Sequence, residues 1–229
     1  LAERLRLSIG FRLRGPWVTR FVINGRAYGG WHDSSADPRP QWFFDTFPDV
    51  RTILDLGCLE GGHTFALAAH PGVERVVGVE VRRANLRRAE YVRRVTRSHN
   101  VEFVAADLET FDLSSLGRFD AVFCSGLLYH LPRPWELLAG AAAVADRLFL
   151  WTHYTDTPTS DLCGYPGAGY AEHGLADVLS GVSPVSFWPT RDGLLRMLAD
   201  VGYTDTSVVL DDPAHQDGPV IALGAAKPA

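Results

Sequence analysis

The sequence predicts an α/β fold: a doubly wound, mostly parallel seven-stranded sheet with an antiparallel last strand, helices on both faces, a small N-terminal cover and an inserted lid. Three observations predict it. Short apolar runs alternate with helical patterns through the middle of the chain, as in a parallel sheet covered on both sides. Two further apolar runs near the C-terminus flank a polar loop and supply a hairpin. The 229 residues, 46% of them hydrophobic, suffice for one sizeable core with a small extra layer.

In order, residues 1–50 form the cover, a helix and a hairpin. Leu1 to Arg14 is Arg-rich and lacks the apolar core and cleavage site of a secretory signal. Phe21 to Tyr28 contains Asn24-Gly25, a strong two-residue hairpin signal. Residues 51–229 form the main domain. Arg51 to Leu56 is its first strand, and Gly62 to His70 a helix stopped by Pro71-Gly72. Arg75 to Glu80 is a second strand. Arg82 to Ser98 is a long helix with Leu86, Ala89, Tyr91 and Val92 toward the sheet. Val101 to Ala105 and Phe119 to Cys124 are the third and fourth strands, Pro134 to Ala145 a helix, and Arg147 to Trp151 the fifth strand. Thr190 caps a helix carrying Leu194, Leu195, Met197 and Leu198, and Gly202 ends it. Thr206 to Leu210 and Val220 to Leu223 are the hairpin strands at one side of the sheet. About 154–188 is a long Gly/Tyr/Pro-rich loop, and a loop of that length in a compact domain is usually a lid or binding surface.

The formal net charge is -5, which argues against a generally basic nucleic-acid surface. The three cysteines, Cys58, Cys124 and Cys163, match neither a zinc site nor a redox pair and fit a reducing, cytoplasmic compartment. No apolar stretch approaches the roughly 20 residues of a membrane span.

Function is written at the ends of the predicted strands, where ligands of parallel sheets sit. Strand one runs into Asp55-Leu56-Gly57-Cys58-Leu59-Glu60-Gly61-Gly62, a tight loop that opens a helix. A dinucleotide loop wants Gly where Leu59 stands, and Asp55 would repel a pyrophosphate. The same carboxylate attracts the amino group of a zwitterionic ligand. Glu80 ends strand two and can accept from both hydroxyls of a ribose. Asp107-Leu108 follows strand three and offers a carboxylate and a backbone N–H to an adenine. Strand four exits through Ser125-Gly126-Leu127-Leu128-Tyr129-His130-Leu131-Pro132.

These four stations together resemble class I S-adenosylmethionine (SAM)-dependent methyltransferases, well over residues 50 to 152 and loosely in the flanks. The resemblance implies that Asp55, Gly57 and Gly61 hold the methionine end of SAM. It assigns Glu80 to the ribose, Asp107 and Leu108 to the adenine, and Ser125, Gly126 and Leu127 to the sulfonium, with Cys58 and Val81 as further cofactor-binding residues. Leu59 departs from the pattern, since many members have Gly there. The Leu-Tyr-His-x-Pro run and the Ser-Phe-Trp-x-Thr segment are similar to small bacterial small-molecule methyltransferases. The Gly-Leu-Leu-Tyr-His run also resembles enzymes that finish modified wobble uridines of tRNA.

Methyl transfer asks the protein to align a nucleophile and exclude water, with a base only where the acceptor must lose a proton. Tyr129, His130 and His153 are the candidate catalytic residues, set against the simpler role of shaping the SAM pocket. His173 beside Glu172, and His32 with Asp33, are weaker candidates. Metal binding is not expected, since no His/Asp/Glu set shows a ligand spacing. Tyr28, Trp31, Trp42, Phe43, Phe44, Tyr154, Tyr165, Tyr170, Phe187 and Trp188 either wall a small-molecule pocket or pack the extra layer. Arg39 and Arg191 are either anion-binding groups or ordinary surface. Arg82, Arg83, Arg87, Arg88, Arg93, Arg94 and Arg97 read as a solvated helix face in preference to an RNA track. The leading reading is a methyltransferase for a small molecule, a natural product or sugar, with oxygen preferred over nitrogen as acceptor. A tRNA methyltransferase and a SAM-binding module without turnover, or with non-methyl chemistry, stand behind it. Oligomeric state is open, a homodimer among the options.

Overall fold

The computed structural model describes residues 2–228. The main sheet has seven strands in the order β12-β13-β8-β7-β4-β5-β6. They are β4 (Thr52–Leu56), β5 (Arg75–Glu80), β6 (Val101–Ala105), β7 (Ala121–Ser125), β8 (Arg147–His153), β12 (Asp205–Asp212) and β13 (Val220–Ala226). Five pair in parallel, and β13 runs antiparallel to both β8 and β12. The last strand therefore lies between β8 and the edge strand β12.

Period-two alternation explains the two faces. Ile53, Val76, Phe123 and Phe149 point to one side, into a core with Phe43, Phe44 and Phe47 of α2 (Arg39–Thr46) and Leu67 of α3 (Gly62–Ala68). Leu54, Val77, Val122 and Leu148 point to the other. There they meet Leu137 and Leu138 of α5 (Pro134–Val144) and Leu194, Met197 and Leu198 of α6 (Arg191–Asp200). The Thr190 hydroxyl accepts from the Gly193 N–H at 3.1 Å, which caps α6 as its sequence predicts.

The cover comprises α1 (Ala2–Arg12), β1 (Thr19–Ile23), β2 (Arg26–Gly29) and the short β3 (His32–Asp33). Ile23 pairs with Arg26 across Asn24-Gly25, both left-handed, the primed turn that matches strand twist. Leu7, Phe11, Phe21 and Tyr28 of the cover pack on Tyr91 and Val92 of α4 (Arg83–Thr96).

The predicted 154–188 loop is not structureless. It carries β9 (Ser160–Leu162), β10 (Tyr165–Ala171) and β11 (Val185–Pro189), a separate antiparallel sheet in the order β11-β10-β9. Its glycines hid the pattern, and Gly167 is needed there. A Cβ at that position would stand 2.4 Å from the Phe187 ring and from the Trp188 carbonyl. No helix among the described residues is long and apolar enough to cross a membrane.

Candidate active site

The chain builds β4, β5 and β6 outward, then returns to lay β7 on the other side of β4. A cavity of about 480 Å³ opens at the C-terminal ends of these strands, within the usual range of small-molecule sites. Its walls include Gly57, Cys58, Leu59, Glu80, Val81, Asp107, Leu108, Ser125, Gly126 and Leu127. Asp55 and Gly61 are not among them. Asp55 lies behind the loop, 2% exposed, and accepts from the Thr64 hydroxyl at 2.6 Å.

The loop is shaped by its backbone. The Gly57 and Cys58 N–H groups donate to the Val79 carbonyl at 2.9 and 3.0 Å. Gly57 is left-handed, and a Cβ there would stand 3.1 Å from Leu127. Leu59 is left-handed too, with φ 52°. A non-Gly residue thus adopts a conformation that favours Gly, at a strain of about 1–2 kcal/mol. The conformation aims the Leu59 N–H at Glu80 Oε2, 3.1 Å away. Glu80 Oε1 accepts from the Arg82 N–H at 2.6 Å. Each Glu80 oxygen thus keeps one acceptor site for a ligand hydroxyl. One Asp107 oxygen accepts from the Glu109 N–H at 3.0 Å and the other has no protein partner among the described residues.

Burial raises Asp55 to about 7, opposed by the Thr64 hydrogen bond and reinforced by Glu80. Burial also raises Glu80, against the hydrogen bonds from Arg82 and Leu59. Cys58 is pushed up by burial and by both carboxylates, so it stays a thiol. Two desolvated acids under one wall favour a cationic guest.

Glu60, fully buried, was not singled out from sequence, although an acid in an otherwise apolar Gly-rich loop is the signal. It accepts from the Val18 and Thr19 N–H groups at 3.0 and 2.7 Å and pairs with Arg88 at 3.4 Å. That ties the cover to the cofactor loop, and Thr19 joins the cavity wall.

The other end of the cavity gathers Trp31, His32, Arg39, Tyr129, His130, Trp151, His153, His215 and Asp217. All three candidate catalytic residues are present. The His153 imidazole donates from Nδ1 toward the Gly218 and Pro219 carbonyls, both at 3.1 Å, and stacks on Trp188 at 4.8 Å. Burial pulls His153 below the ordinary imidazole value, against those two hydrogen bonds. Burial pushes Tyr129 up to about 12, so it is a neutral phenol. His130 is held by Glu172 of the lid at 3.0 Å.

Some expectations need correcting. His173 is exposed and off the wall, and its neighbour Glu172 makes the contact. Arg191 pairs with Asp211 away from the cavity. Asp33 pairs with Ser35 and Arg20, whereas His32 lines the wall. Of the ten cover aromatics only Trp31 lines the cavity, because the others pack the flanking layers. Arg82 and Arg88 do not belong to a solvated face. Arg82 Nη2 donates to the lid carbonyls of Gly174, Asp177 and Ser180 at 3.0, 2.9 and 2.6 Å, while Arg83, Arg87, Arg94 and Arg97 are exposed.

Folding also assembles a cluster that has no spacing signature. Asp37 accepts from His63 Nε2 at 2.9 Å, lies 3.5 Å from His32 Nε2 and pairs with Arg39. These ligand atoms are close enough for a metal ion. The Arg39 guanidinium already neutralises the carboxylate, so the set reads as an ion-pair network. It passes on to Ser125, whose hydroxyl accepts from Arg39 Nη1 at 3.0 Å.

A methyltransferase-domain family model matches residues 53–147. The SAH (S-adenosylhomocysteine)-bound N-terminal domain of EvdMO1 superposes with a TM-score of 0.89 at 36% identity, over 98% of this chain and 97% of that one. A Burkholderia thailandensis 1,6-didemethyltoxoflavin N1-methyltransferase shares the fold, with a TM-score of 0.61 and 22% identity over 84% of this chain and 77% of its own. A tRNA U34 carboxymethyltransferase of Actinobacillus pleuropneumoniae serotype 3 (strain JL03) is 29% identical over 163 residues, 69% of this chain and 47% of the relative. The chain thus spans about half the length of that curated relative. The acidic, glycine-cradled cavity fits SAM, and SAM is the cofactor. The chain belongs to the class I SAM-dependent methyltransferases.

Proposed function

We propose that this protein methylates a hydroxyl of a small, sugar-like molecule. The observation that carries the reading is the composition of the cavity's far end. Trp31 and Trp151 offer flat apolar faces beside His32, Tyr129, His130 and His153, a set suited to a polyhydroxylated ring. The similar EvdMO1 domain was also solved in the presence of SAH and D-fucose, at 36% identity, and this supports a sugar.

Glu80 would hold the ribose hydroxyls, Asp107 and Leu108 the adenine, and Gly57 to Leu59 the methionine end. Asp55 would act from behind the loop through charge. Bound SAM supplies an electrophilic methyl group. The protein's share is alignment, exclusion of water by the lid, and removal of one proton from the acceptor. His130 and His153 each have Nδ1 occupied by an acceptor, so each presents Nε2 as the free base. Tyr129, neutral and between them, would donate to the acceptor or to a neighbouring hydroxyl.

The tRNA reading draws on the Gly-Leu-Leu-Tyr-His run and on the curated relatives. A cavity roofed by the lid, with Glu109 and Asp217 in its walls and a net charge of -5, favours a small neutral guest. The test is incubation with methyl-labelled SAM and, separately, a panel of free sugars and glycosides and unmodified bulk tRNA. Label in a sugar hydroxyl is expected. Label in tRNA alone, with binding that weakens steeply as salt rises, would replace the reading.

A further inference from the structure

We propose that Glu172, delivered by the lid, is a positioning residue for His130: it fixes the imidazole proton on Nδ1 and leaves Nε2 as the basic lone pair. The proposal rests on the acceptor-side reading of His130 given above. His130 ends a single 3-10 turn, Leu128–His130, that leaves β7, and its N–H donates to the Leu127 carbonyl at 2.9 Å. Backbone geometry therefore places the ring but does not choose its tautomer. The choice comes from 42 residues away, where both Glu172 oxygens lie within reach of Nδ1, at 3.0 and 3.2 Å.

Glu172 is ionised. Burial opposes its charge, but hydrogen bonds from the Ser180 hydroxyl at 2.5 Å, the Gly181 N–H at 2.6 Å and His130 outweigh burial and hold it below the usual carboxylate range. An ionised carboxylate only accepts, so the atom facing it must be an N–H. Nε2 has no protein partner among the described residues, and the ring lines the cavity. A neutral imidazole in this arrangement is a base at Nε2 and nowhere else.

The lid brings Glu172 here because it is fastened at two further points. Arg82, two residues past the ribose carboxylate Glu80, donates to the three carbonyls of Gly174, Asp177 and Ser180. The Ser183 hydroxyl donates to Glu109 at 2.6 Å, beside the adenine station. The segment Val178 to Val182 roofs the cavity between those anchors. The base is therefore assembled only when the lid lies over the cofactor station.

A competing role for Glu172 is purely structural, folding the lid through Ser180 and Gly181. Long-range 1H–15N correlation spectra of 15N-labelled, SAH-saturated protein separate the two. They are recorded at about pH 8.5, well above the ordinary imidazole value of about 6.5, with His130→Asn giving the assignment. Wild type is expected to show the His130 proton on Nδ1, whereas Glu172→Gln, whose single amide oxygen answers the Gly181 N–H and whose NH2 then faces Nδ1, should shift the proton toward Nε2. Glu172→Ala should show both tautomers. Ser180→Ala, which removes the hydroxyl's bonds to Glu172 and to the His173 N–H but leaves the Gly181 N–H on Glu172, should keep the wild-type pattern. A proton on Nε2 in wild type, or an unchanged Glu172→Ala spectrum, would overturn the proposal, and the wild-type measurement decides even if a variant fails to fold. With an acceptor that turns over, Glu172→Ala should lower kcat at least about tenfold with SAH affinity retained, and Glu172→Gln should not restore it. If His130→Ala kept full transfer while the tautomer result held, the base assignment would fall and the positioning would stand.

Discussion

Asp55→Asn tests the electrostatics of the cofactor loop. A buried carboxyl raised to about 7, from an ordinary 3.8, binds its proton more tightly in the folded chain than in the unfolded one. The stabilisation this gives is complete below about pH 3.8 and is lost as pH rises through about 7. At about 1.4 kcal/mol per pH unit, the loss reaches about 4 kcal/mol on the alkaline side. Asn is nearly isosteric, stays neutral, and its amide oxygen can still accept from the Thr64 hydroxyl. The variant should therefore be more stable than wild type at about pH 8, by up to about 4 kcal/mol, which is roughly 8–16 °C in Tm at this chain length. Near pH 4 the two should converge. The same change should weaken cofactor binding, and more for SAM than for SAH, because only SAM carries the sulfonium charge. Wild-type affinity for SAM should in turn improve as pH rises toward 7, because a bound cation favours the ionised acid. Thermal unfolding and calorimetric titration across this pH range supply both measurements. Parallel stability profiles for wild type and Asp55→Asn would refute the reasoning.

Other outcomes follow from single contacts. Glu80→Ala removes the carboxylate proposed to hold the ribose and should cut SAH affinity by about 10- to 150-fold, read by calorimetry, with circular dichroism unchanged. Glu60→Ala strands the Val18 and Thr19 N–H groups and leaves Arg88 unpaired. It should cost about 3–5 kcal/mol in denaturant unfolding and speed tryptic cleavage after Arg14 and Arg20. If His153, in place of His130, takes the acceptor proton, His153→Asn should lower kcat by about 10²–10⁴-fold. Because burial pulls His153 down, wild-type activity should rise with pH through a midpoint below about 6.5 and stay flat above it. An alkaline midpoint in that profile would remove His153 as the base.

The main sheet was legible because its signals are local. β5 and β6 begin and end where their apolar runs do, and Thr190, Asn24-Gly25 and Pro134 mark their elements by short-range chemistry. The lid strands were not legible, because Gly167 and Gly169 interrupt the alternation that announces a strand. β9 meets β10 across the tight turn Cys163-Gly164, and β11 meets β10 only across the long connection 172–184. The Arg82–Thr96 stretch was legible as a helix but not residue by residue. Arg82 and Arg88 look like their neighbours in sequence, and only the packing of lid and cover decides which arginines are half-buried.

By itself, the sequence located the half of the site proposed for the cofactor. Asp55, Gly57, Glu80, Asp107 and Ser125 sit at strand ends, and in a parallel sheet every strand end faces the same side. The tertiary structure alone decided how that half works. It placed Asp55 behind the wall, where desolvation raises it, and it turned Leu59 into the left-handed region. It also joined the cover to the loop through Glu60. Above all it decided the acceptor half. His130 with Glu172, Asp37 with His63, and His153 with the Gly218 and Pro219 carbonyls are pairs separated by 26 to 66 residues. No spacing rule relates such residues, because chain reversals and a separate lid sheet bring them together.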